Sequence, residues 1–396
     1  MSGITKIILG TGKEQSPKRF HPWIFSGAIK RIDGVVNPGD IVEVYSSKDE
    51  FLGIGHYQGG SIAVRIFSFE KITPDAEFWR SKIEKAYLYR KAIGLAENNN
   101  TNVYRLVFAE GDGLPGLVVD YYNGTAVLQA HSIGMYKERD YIVEALKAVY
   151  GSSLKAIYNK SSESLGNGEF AKGVKNGYLY GADAEKQVLE NGNKIKVDWE
   201  EGQKTGFFID QRENRKLVAQ YAPGKKMLDC FCYAGGFSVY ALRAGATEVH
   251  SVDSSKTAMK LTDQNIELNF GQGAKQSSHC VDAFDFLKDN QNQYDLMVVD
   301  PPAFAKHRDA RHQAVMGYKR LNALAISGIR LGGFLFTFSC SQVVDKPLFY
   351  GAIMAAAIEA GRNVRIVQYL SQPADHPISI YHSEGEYLKG MLLFVE

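Results

Sequence analysis

Four aspartates in the C-terminal half of the chain are the first residues whose type and spacing point to chemistry. They are Asp229, Asp253, Asp282 and Asp300. Each lies at or just after the end of a segment with the pattern of a buried strand, and ligands bind at the edge where the carboxyl ends of parallel strands meet. A single aspartate could equally be a helix cap, but four at successive strand ends indicate a ligand site.

The residues around these aspartates indicate which kind of ligand. The turn after the first strand contains Gly235-Gly236, which would let a ligand approach the backbone. It lacks the G-x-G-x-x-G pattern of a dinucleotide site, and Asp253 follows Asp229 by 24 positions, close to the spacing of a carboxylate that binds ribose hydroxyls. Carboxylates attract a cation and repel a pyrophosphate. These residues therefore favour a sulfonium cofactor over one that carries a pyrophosphate.

Cys340 is a candidate nucleophile. It lies between Ser339 and Ser341, directly after a predicted strand at 334–338. At this sheet edge a thiolate would lie beside the cofactor, and the two serines and an adjacent helix N-terminus could lower the thiol pKa. The alternative is packing, because free cysteine is among the most buried residue types.

The other three cysteines, Cys230, Cys232 and Cys280, are predicted to pack in the core. Cys230 and Cys232 form a Cys-x-Cys pair without a second matched pair, which is poor spacing for zinc. No metal site is therefore predicted.

The segments that must position these residues alternate between strands and helices. Strands are predicted at 226–230, 248–252, 277–281, 295–299, 334–338, 363–369 and 387–395, and helices at 236–244, 254–269, 310–329 and 346–360. This alternation predicts a parallel sheet covered by helices on both faces, which is an α/β fold.

Three domains are predicted along the chain. Residues 1–72 have the pattern of short strands separated by turns, which indicates a small all-β domain. Residues 73–187 combine helices and strands in an α+β middle domain. Residues 188–396 form the α/β domain, which begins with a β-hairpin around Asn191-Gly192.

Composition is typical of a soluble globular protein, with 45% apolar and 23% charged residues. A chain of 396 residues is too long for one core. No segment resembles a signal peptide or a membrane span, and four cysteines suit a reducing compartment. We expect a cytoplasmic protein without a membrane partner.

Basic residues are concentrated in two places, although the net charge is only +2. Residues 1–31 hold six Lys and Arg against one Glu, and residues 306–320 hold five against one Asp. Local basic patches on a near-neutral protein are typical of contact with a polyanion such as RNA. An ordinary solvated surface is the alternative for each patch.

Further motifs extend along the whole chain. Those in the C-terminal half are Lys-Thr-Gly-Phe-Phe-Ile-Asp-Gln-Arg at 204–212, Asp-Cys-Phe-Cys-Tyr-Ala-Gly-Gly at 229–236, Asp-Pro-Pro-Ala-Phe at 300–304, Phe-Ser-Cys-Ser at 338–341 and Asp-His-Pro at 375–377. Those in the N-terminal half are His-Pro-Trp-Ile-Phe-Ser-Gly at 21–27 and Gly-Asp-Gly-Leu-Pro-Gly at 111–116. Together they resemble the ribosomal RNA large-subunit methyltransferase I family of class I S-adenosylmethionine-dependent enzymes.

The resemblance implies an N-terminal PUA domain for RNA, an α+β middle domain and a C-terminal Rossmann-like methyltransferase domain. The residues it implies for the cofactor are Asp229, Phe231, Tyr233, Gly235, Asp253, Asp282, Gln211 and Arg212. Among them Asp253 would bind the ribose, Asp282 would lie near the adenine, and Gln211 and Arg212 would lie near the methionine end. A sheet-edge or capping role is the alternative for Gln211 and Arg212.

The implied reaction is 5-methylation of a cytosine in large-subunit (23S) ribosomal RNA. The Cys340 thiolate would add to carbon 6 and so make carbon 5 nucleophilic, while Asp300 would hydrogen-bond the ring nitrogen N3. The residues implied for the RNA substrate are Pro301, Pro302, Phe304, Lys306 and Arg308. Phe304 would stack on a flipped base or, alternatively, fill the space beneath its loop.

Three alternatives remain open. The triplet Asp300-Pro301-Pro302 lacks the Pro-Cys pair of the familiar RNA cytosine-5 enzymes and also occurs in enzymes that methylate nitrogen. A nitrogen methyltransferase acting on ribosomal guanine or adenine is therefore one alternative, a non-catalytic RNA-binding assembly factor is the second, and an NAD-dependent oxidoreductase is a distant third. The target nucleotide, the choice between free RNA and an assembled subunit, and formation of a homo-oligomer also stay open.

Overall fold

The computed structural model describes residues 4–166, 169–182, 184–305 and 307–396. Lys306, one of the residues predicted to contact substrate, lies outside these ranges. The chain divides into two compact units. Unit 1 is Met1–Val188, Asp198–Phe207 and Ala374–Gly385, and unit 2 is Leu189–Val197, Phe208–Pro373 and Glu386–Glu396. The three domain boundaries drawn from the sequence stay a prediction.

Unit 1 begins with a six-stranded sheet whose order is β2-β6-β5-β4-β1-β3. Its elements are β1 (Thr5–Leu9), α1 (Gln15–Lys18), β2 (Trp23–Phe25), β3 (Ile29–Asp33), β4 (Ile41–Tyr45), β5 (Phe51–Tyr57) and β6 (Ile62–Ser68). Alternate residues point inward, as a half-buried strand requires, and they form a core around Ile7, Val42 and Val64. The predicted small β domain is confirmed, and the short helix α1 is an addition to the prediction.

The rest of unit 1 is a helix-covered sheet in the order β11-β10-β9-β8-β7. Its elements are α2 (Ala76–Ala92), β7 (Val103–Phe108), β8 (Leu117–Tyr122), β9 (Thr125–Ala130), α3 (Ile133–Lys137), α4 (Arg139–Tyr150), β10 (Ala156–Asn159), α5 (Glu169–Lys172) and β11 (Gly177–Tyr180). Helix α2 starts where Asp75 accepts a hydrogen bond from the amide of Phe78. It buries Trp79 and Ile83 against the sheet.

Residues Ala374–Gly385 belong to unit 1, although the strands before and after them belong to unit 2. Arg90 donates a hydrogen bond to the carbonyl oxygen of Asp375 at 2.8 Å. A Cβ on Gly111 would lie 1.9 Å from the carbonyl oxygen of Pro377, so only glycine fits at this position. Two motifs that are far apart in sequence, 111–116 and 375–377, therefore contact each other.

The hairpin predicted around Asn191-Gly192 is present, with strands β12 (Gln187–Glu190) and β13 (Asn193–Lys196). Its turn residues have φ values of +49° and +77°. Asn and Gly are the residues that adopt this left-handed conformation most readily, which explains why this pair is a strong hairpin signal.

Unit 2 is built on a seven-stranded sheet with the order β16-β15-β14-β17-β18-β20-β19. The strands are β14 (Lys226–Cys230), β15 (Glu248–Val252), β16 (Gln276–His279), β17 (Tyr294–Val299), β18 (Ile329–Ser339), β19 (Val364–Ser371) and β20 (Lys389–Val395). The helices are α6 (Arg212–Tyr221), α7 (Gly236–Arg243), α8 (Lys256–Phe270), α9 (Ala283–Asp289), α10 (Arg311–Gly328) and α11 (Lys346–Ala360).

The first five strands of this order are parallel, and β20 is antiparallel to both β18 and β19. Side chains of β17 alternate between two cores: Met297 and Val299 pack on one face, and Leu296 and Val298 on the other. A sheet buried on both faces explains why its strands are continuous apolar runs. The α/β fold predicted from the alternation of strands and helices is confirmed.

Within the described ranges, no helix combines the length and the apolar character needed to cross a bilayer.

Candidate functional site

The predicted site residues follow the parallel strands of unit 2 in spatial order. Reading across the sheet from β16 to β18, the residues beyond or near the strand ends are Asp282, Asp253, Asp229, Asp300 and Cys340. The strand order reverses between β14 and β17, and this switch point is where open α/β sheets bind ligands. Asp229 and Asp300 therefore flank the expected crevice, and Cys340 lies one strand further along.

Asp229 is buried at the end of β14. Its Oδ2 accepts hydrogen bonds from the amide and the hydroxyl of Ser238, at 3.1 Å and 2.7 Å. Its Oδ1 has no hydrogen-bond partner among the described residues. Burial raises the pKa of this carboxyl to about 7. The orphaned oxygen marks a place where a cationic ligand would be stabilised.

The loop after β14 has an unusual backbone. Phe231, Tyr233 and Gly235 have φ values of +61°, +49° and +69°. Non-glycine residues in this conformation store strain, which tends to accumulate at ligand-binding loops. A Cβ on Gly235 would lie 2.7 Å from the side chain of Thr262, so packing as well as backbone angle explains this glycine. The role predicted for this glycine from the sequence is ligand approach.

Asp253 and Asp282 play different local roles. Asp253 accepts from the amide of Tyr233 at 3.1 Å and from the amide of Ser255 at 2.9 Å, so it fastens the strained loop to the end of β15. Asp282 is exposed and caps α9 by accepting from the amide of Phe284 at 2.8 Å. The capping alternative therefore describes Asp282 better than Asp253, and their contacts with ribose and adenine stay predictions.

Gln211 is oriented towards Asp300. Its Nε2 donates to Oδ2 of Asp300 at 2.9 Å, and its Oε1 accepts from the side-chain amide of Asn214 at 2.6 Å. Both Gln211 and Arg212 are buried. This chain of amides fixes the Asp300 carboxylate, a contact that the sequence does not reveal because the residues are 89 positions apart.

Cys340 is half-buried directly after β18. Its neighbour Ser341 donates a hydrogen bond to the carbonyl oxygen of Ala305 at 2.8 Å. Ala305 lies in the loop that follows Asp300. This hydrogen bond therefore joins the loop that contains Cys340 to the loop that follows Asp300. The two loops are therefore in contact, and the catalytic roles of Cys340 and Asp300 stay predictions.

Lys389 is a functional candidate that the sequence did not reveal. The side chain is buried at the start of β20, opposite Ser339 of β18. Its Nζ donates to the carbonyl oxygens of Ser341 at 2.7 Å and Tyr387 at 2.8 Å. Burial lowers the pKa of this amine to about 8, and interaction with Cys340 opposes that shift. A buried cation beside a cysteine favours the thiolate.

The predicted RNA-binding residues differ in exposure. Pro302 and Arg308 are exposed, whereas Pro301 is buried. Phe304 is half-buried, with its ring centroid 4.7 Å from that of Tyr318. These contacts favour the space-filling alternative for Phe304, and its stacking on a base stays a prediction.

The cysteine predictions are correct for two of three residues. Cys230 and Cys232 are buried, as predicted. Cys280 is exposed, so the prediction that it packs in the core is wrong. The physical reason is that β16 is the edge strand of the sheet and ends at His279, so the next residue lies beyond the core.

Comparison with known proteins defines the class. A family model described as S-adenosylmethionine-dependent methyltransferase matches residues 173–377, and a PUA-like domain matches residues 7–69. A solved structure of a putative methyltransferase from Streptococcus mutans has a TM-score of 0.82 and 24% identity, over 99% of this chain and all of that chain, which shows a shared fold. The fold and site define an S-adenosylmethionine-dependent methyltransferase.

Curated relatives define the family within this class. Ribosomal RNA large subunit methyltransferase I of Aeromonas hydrophila is 40% identical over 395 residues, covering 98% of each chain. The Escherichia coli protein of the same name is 36% identical over 393 residues, covering 97% of this chain and 98% of that one. The chain belongs to the ribosomal RNA large subunit methyltransferase I family.

The methyl donor of this class is S-adenosylmethionine, and the residues at the sheet edge suit it. The orphaned Oδ1 of Asp229 and the carboxylate of Asp253 supply negative charge for a cation. When bound, this cofactor supplies an electrophilic methyl group. The individual contacts assigned to it remain those predicted from the sequence.

The affinity for S-adenosylmethionine is expected to depend on pH through Asp229. Below pH 7 the carboxyl is protonated, and a cation must displace that proton to bind. Affinity should therefore rise up to about tenfold per pH unit between pH 5.5 and 7, and then level off. Asp229→Asn should bind weakly with little pH dependence. Calorimetry across this range measures both.

The matched control for this experiment is Asp263→Asn, which changes an exposed aspartate on α8. It should retain the affinity and the pH dependence of the wild type. A flat profile in the wild type would show that Asp229 does not sense the cofactor charge.

Proposed function

We propose that this protein methylates carbon 5 of a cytosine in large-subunit ribosomal RNA through a covalent bond from Cys340. The observation that carries the proposal is a half-buried cysteine at a strand end, beside a buried lysine and one strand away from Asp300. The relatives named ribosomal RNA large subunit methyltransferase I support ribosomal RNA as the substrate class.

The proposed chemistry follows from the weak nucleophilicity of carbon 5. The Cys340 thiolate forms a bond to carbon 6, and the ring electrons then make carbon 5 an enamine-like nucleophile. With S-adenosylmethionine bound, carbon 5 would take the methyl group as the bond between that methyl group and the sulfonium sulfur breaks, which leaves S-adenosylhomocysteine, and a general base would then remove the proton from carbon 5. The bond between sulfur and carbon 6 then breaks, and the thiolate is restored.

Asp300 is proposed to hold the ring nitrogen N3 during the addition. Contact with that nitrogen requires the protonated carboxyl or a shared proton. The hydrogen bond from Gln211 to Asp300, at 2.9 Å, limits the rotation of the carboxyl group. The orientation of that group is therefore set before the target cytosine binds. Preorganisation of this kind lowers the barrier without a new contact in the transition state.

The target base is proposed to enter the site from an unpaired or flipped state, because carbon 6 is inaccessible inside a duplex. Exposed Pro302 and Arg308 lie on the loop that leads from Asp300. Arg308 would contact a flanking phosphate. The PUA-like domain at 7–69 is proposed as a second RNA contact.

A nitrogen methyltransferase is the second candidate, and one observation favours it. Asp300 is followed by two prolines and accepts a bond from the Gln211 amide, an arrangement that would also suit a planar amino group. It leaves Cys340 and Lys389 without a chemical role, so carbon 5 is the better assignment.

Analysis of the modified nucleoside tests the proposal. The purified chain would be incubated with ribosomal RNA from a strain that lacks its own enzyme, and the product digested for mass spectrometry. We expect 5-methylcytidine at a single nucleotide. A methylated guanine or adenine would establish the second candidate, and no methyl transfer to RNA would overturn both.

Lys389 is expected to set the pH at which Cys340 reacts. In Lys389→Met an apolar chain of similar length replaces the buried cation, so the thiolate should form at a pH about one unit higher or more. Alkylation of Cys340 by iodoacetamide, followed peptide by peptide at several pH values, measures this directly. The rising limb of kcat against pH should move in the same direction.

Lys288→Met is the control for this experiment, because Lys288 is an exposed lysine on α9 that pairs with Asp285 and does not act on Lys389. It should leave the alkylation profile of Cys340 unchanged. Equal alkylation profiles for Lys389→Met and the wild type would show that Lys389 does not influence the reactivity of Cys340.

A further inference from the structure

An aromatic face on unit 1 is not accounted for by the methyl-transfer site. It consists of Phe20, Phe25 and Tyr381, whose exposed fractions are 49%, 45% and 54%. Isolated exposed aromatics are ordinary, but contiguous ones mark interaction sites. The ring centroids of Phe20 and Tyr381 are 5.3 Å apart, and Phe25 lies beside them through His21, whose ring centroid is 6.5 Å from that of Phe25.

We propose that this aromatic face stacks unpaired bases of the RNA substrate. Single-stranded RNA is recognised by exposed rings set among cationic side chains, since every base has a face that can stack. The N-terminal segment that carries Phe20 and Phe25 also exposes Lys13, Arg19 and Lys30, while Glu384 is an exposed carboxylate beside His21. This charge favours a polyanion over a second copy of the near-neutral chain or an apolar peptide. The inference rests on the proposed RNA substrate.

The backbone of Phe20 supports a functional role for its ring. Phe20 has a φ of +63°, a conformation that is costly for a bulky side chain. Its amide donates to the carbonyl oxygen of Pro17 at 2.9 Å, which holds the strained turn after α1. Glycine would adopt this backbone conformation with less strain. The chain nevertheless has phenylalanine here, and the ring of Phe20 is exposed to solvent. Such a combination is typical of binding sites.

The His-Pro-Trp motif at 21–23 connects the two parts of this face. One part is the N-terminal segment with Phe20 and Phe25, and the other is the 374–385 segment with Tyr381. The indole nitrogen of Trp23 donates to Oε1 of Glu110 at 2.8 Å, and its ring lies 4.4 Å from that of His382. His21 contacts Glu384, with Nε2 and Oε1 3.4 Å apart. These contacts hold the 374–385 segment, which carries Tyr381, against the N-terminal sheet. The motif thereby gains a role that the methyltransferase site does not explain.

Binding assays on the full chain test this inference. The probes are a labelled single-stranded RNA and the duplex of the same sequence, each titrated over a range of salt concentrations. Tyr381→Ala and Phe20→Gly should each weaken single-strand binding about 5- to 100-fold at every salt concentration. Phe20→Gly suits the left-handed backbone and should fold normally. Duplex binding should change little.

Two control variants separate stacking from charge and from general surface effects. Tyr141→Ala removes a tyrosine of α4 that is 45% exposed, and it should bind RNA as the wild type does. Arg19→Gln should reduce the salt dependence, with the slope falling by roughly 0.7, as for one phosphate contact on a single strand. The tyrosine and phenylalanine variants should leave that slope unchanged.

Three results would overturn the inference. They are wild-type affinity in both aromatic variants, equal weakening on single strand and duplex, and a change of oligomeric state in light scattering, which would assign the face to a second copy. None of these results changes the proposal of carbon 5 methylation. That proposal is tested by nucleoside analysis with the wild-type protein. Conversely, a nitrogen-methylated product would leave the binding result standing.

Discussion

Cys340→Ala is expected to reduce methyl transfer to RNA by more than about 10⁴-fold, which is the scale on which enzymes lose activity with their nucleophile. The reason is that carbon 5 of cytosine does not attack a methyl donor until sulfur has added to carbon 6. Transfer of a radiolabelled methyl group from S-adenosylmethionine to unmodified ribosomal RNA measures the effect. Affinity for S-adenosylmethionine should stay within about threefold of the wild type, because the thiol reacts with the target cytosine and does not bind the cofactor.

The matched control is Cys280→Ala, which removes the exposed cysteine beyond β16. This variant should retain full activity and so exclude a general effect of losing a thiol. If Cys340→Ala kept an appreciable fraction of wild-type turnover, the covalent route would be wrong and the nitrogen methyltransferase would become the better reading.

Asp300→Asn is expected to lower kcat by about 10²- to 10⁴-fold, the usual range for loss of a positioned acid or base. The asparagine side chain keeps the size and the contact with Gln211 but cannot share a proton with the ring nitrogen N3. Rapid-mixing measurements under single-turnover conditions report this step directly. Binding of S-adenosylmethionine should change far less than kcat does.

Asp285→Asn provides the control for this prediction, because Asp285 is an exposed aspartate on α9 that pairs with Lys288. Its kcat should equal that of the wild type. A large loss of S-adenosylmethionine affinity in Asp300→Asn, with kcat retained at saturation, would show that Asp300 serves the cofactor instead of the base.

Much of unit 2 could be predicted from the sequence, because its strands and helices are regular and their patterns are strong. Strands β14 and β15 have the predicted limits at 226–230 and 248–252. Strands buried on both faces form apolar runs, and aspartates after such runs fall at one sheet edge whatever the details of packing. That the acidic residues lie at one edge follows from this rule, whereas their order across the edge depends on the strand order.

The contacts that complete the site could not be predicted, because they depend on pairings between distant segments. Lys389 reaches the cysteine loop since β20 enters the sheet antiparallel between β18 and β19, which chain order does not indicate. Gln211 meets Asp300 through the loop before α6. A charged residue at the start of an apolar strand is the only sequence signal for Lys389, and it equally suits a solvated strand end.

The 374–385 segment shows the same limit on a larger scale. Its sequence follows a strand of unit 2, yet Asp375 accepts a hydrogen bond from Arg90 in unit 1. Periodicity reports which residues are buried, but not which unit buries them. Cys280 was assigned wrongly for a related reason, since the position of β16 at the sheet edge is set by topology alone.

In the proposed reaction the sulfur of Cys340 bonds to carbon 6 of the target cytosine, and this bond can be trapped. The full-length protein would be incubated with S-adenosylmethionine and RNA containing 5-fluorocytidine, in which the proton at carbon 5 is replaced and cannot be removed. We expect a stable protein–RNA complex whose linked peptide contains Cys340. A complex linked through another residue, or turnover without any linked complex, would show that Cys340 is not the nucleophile.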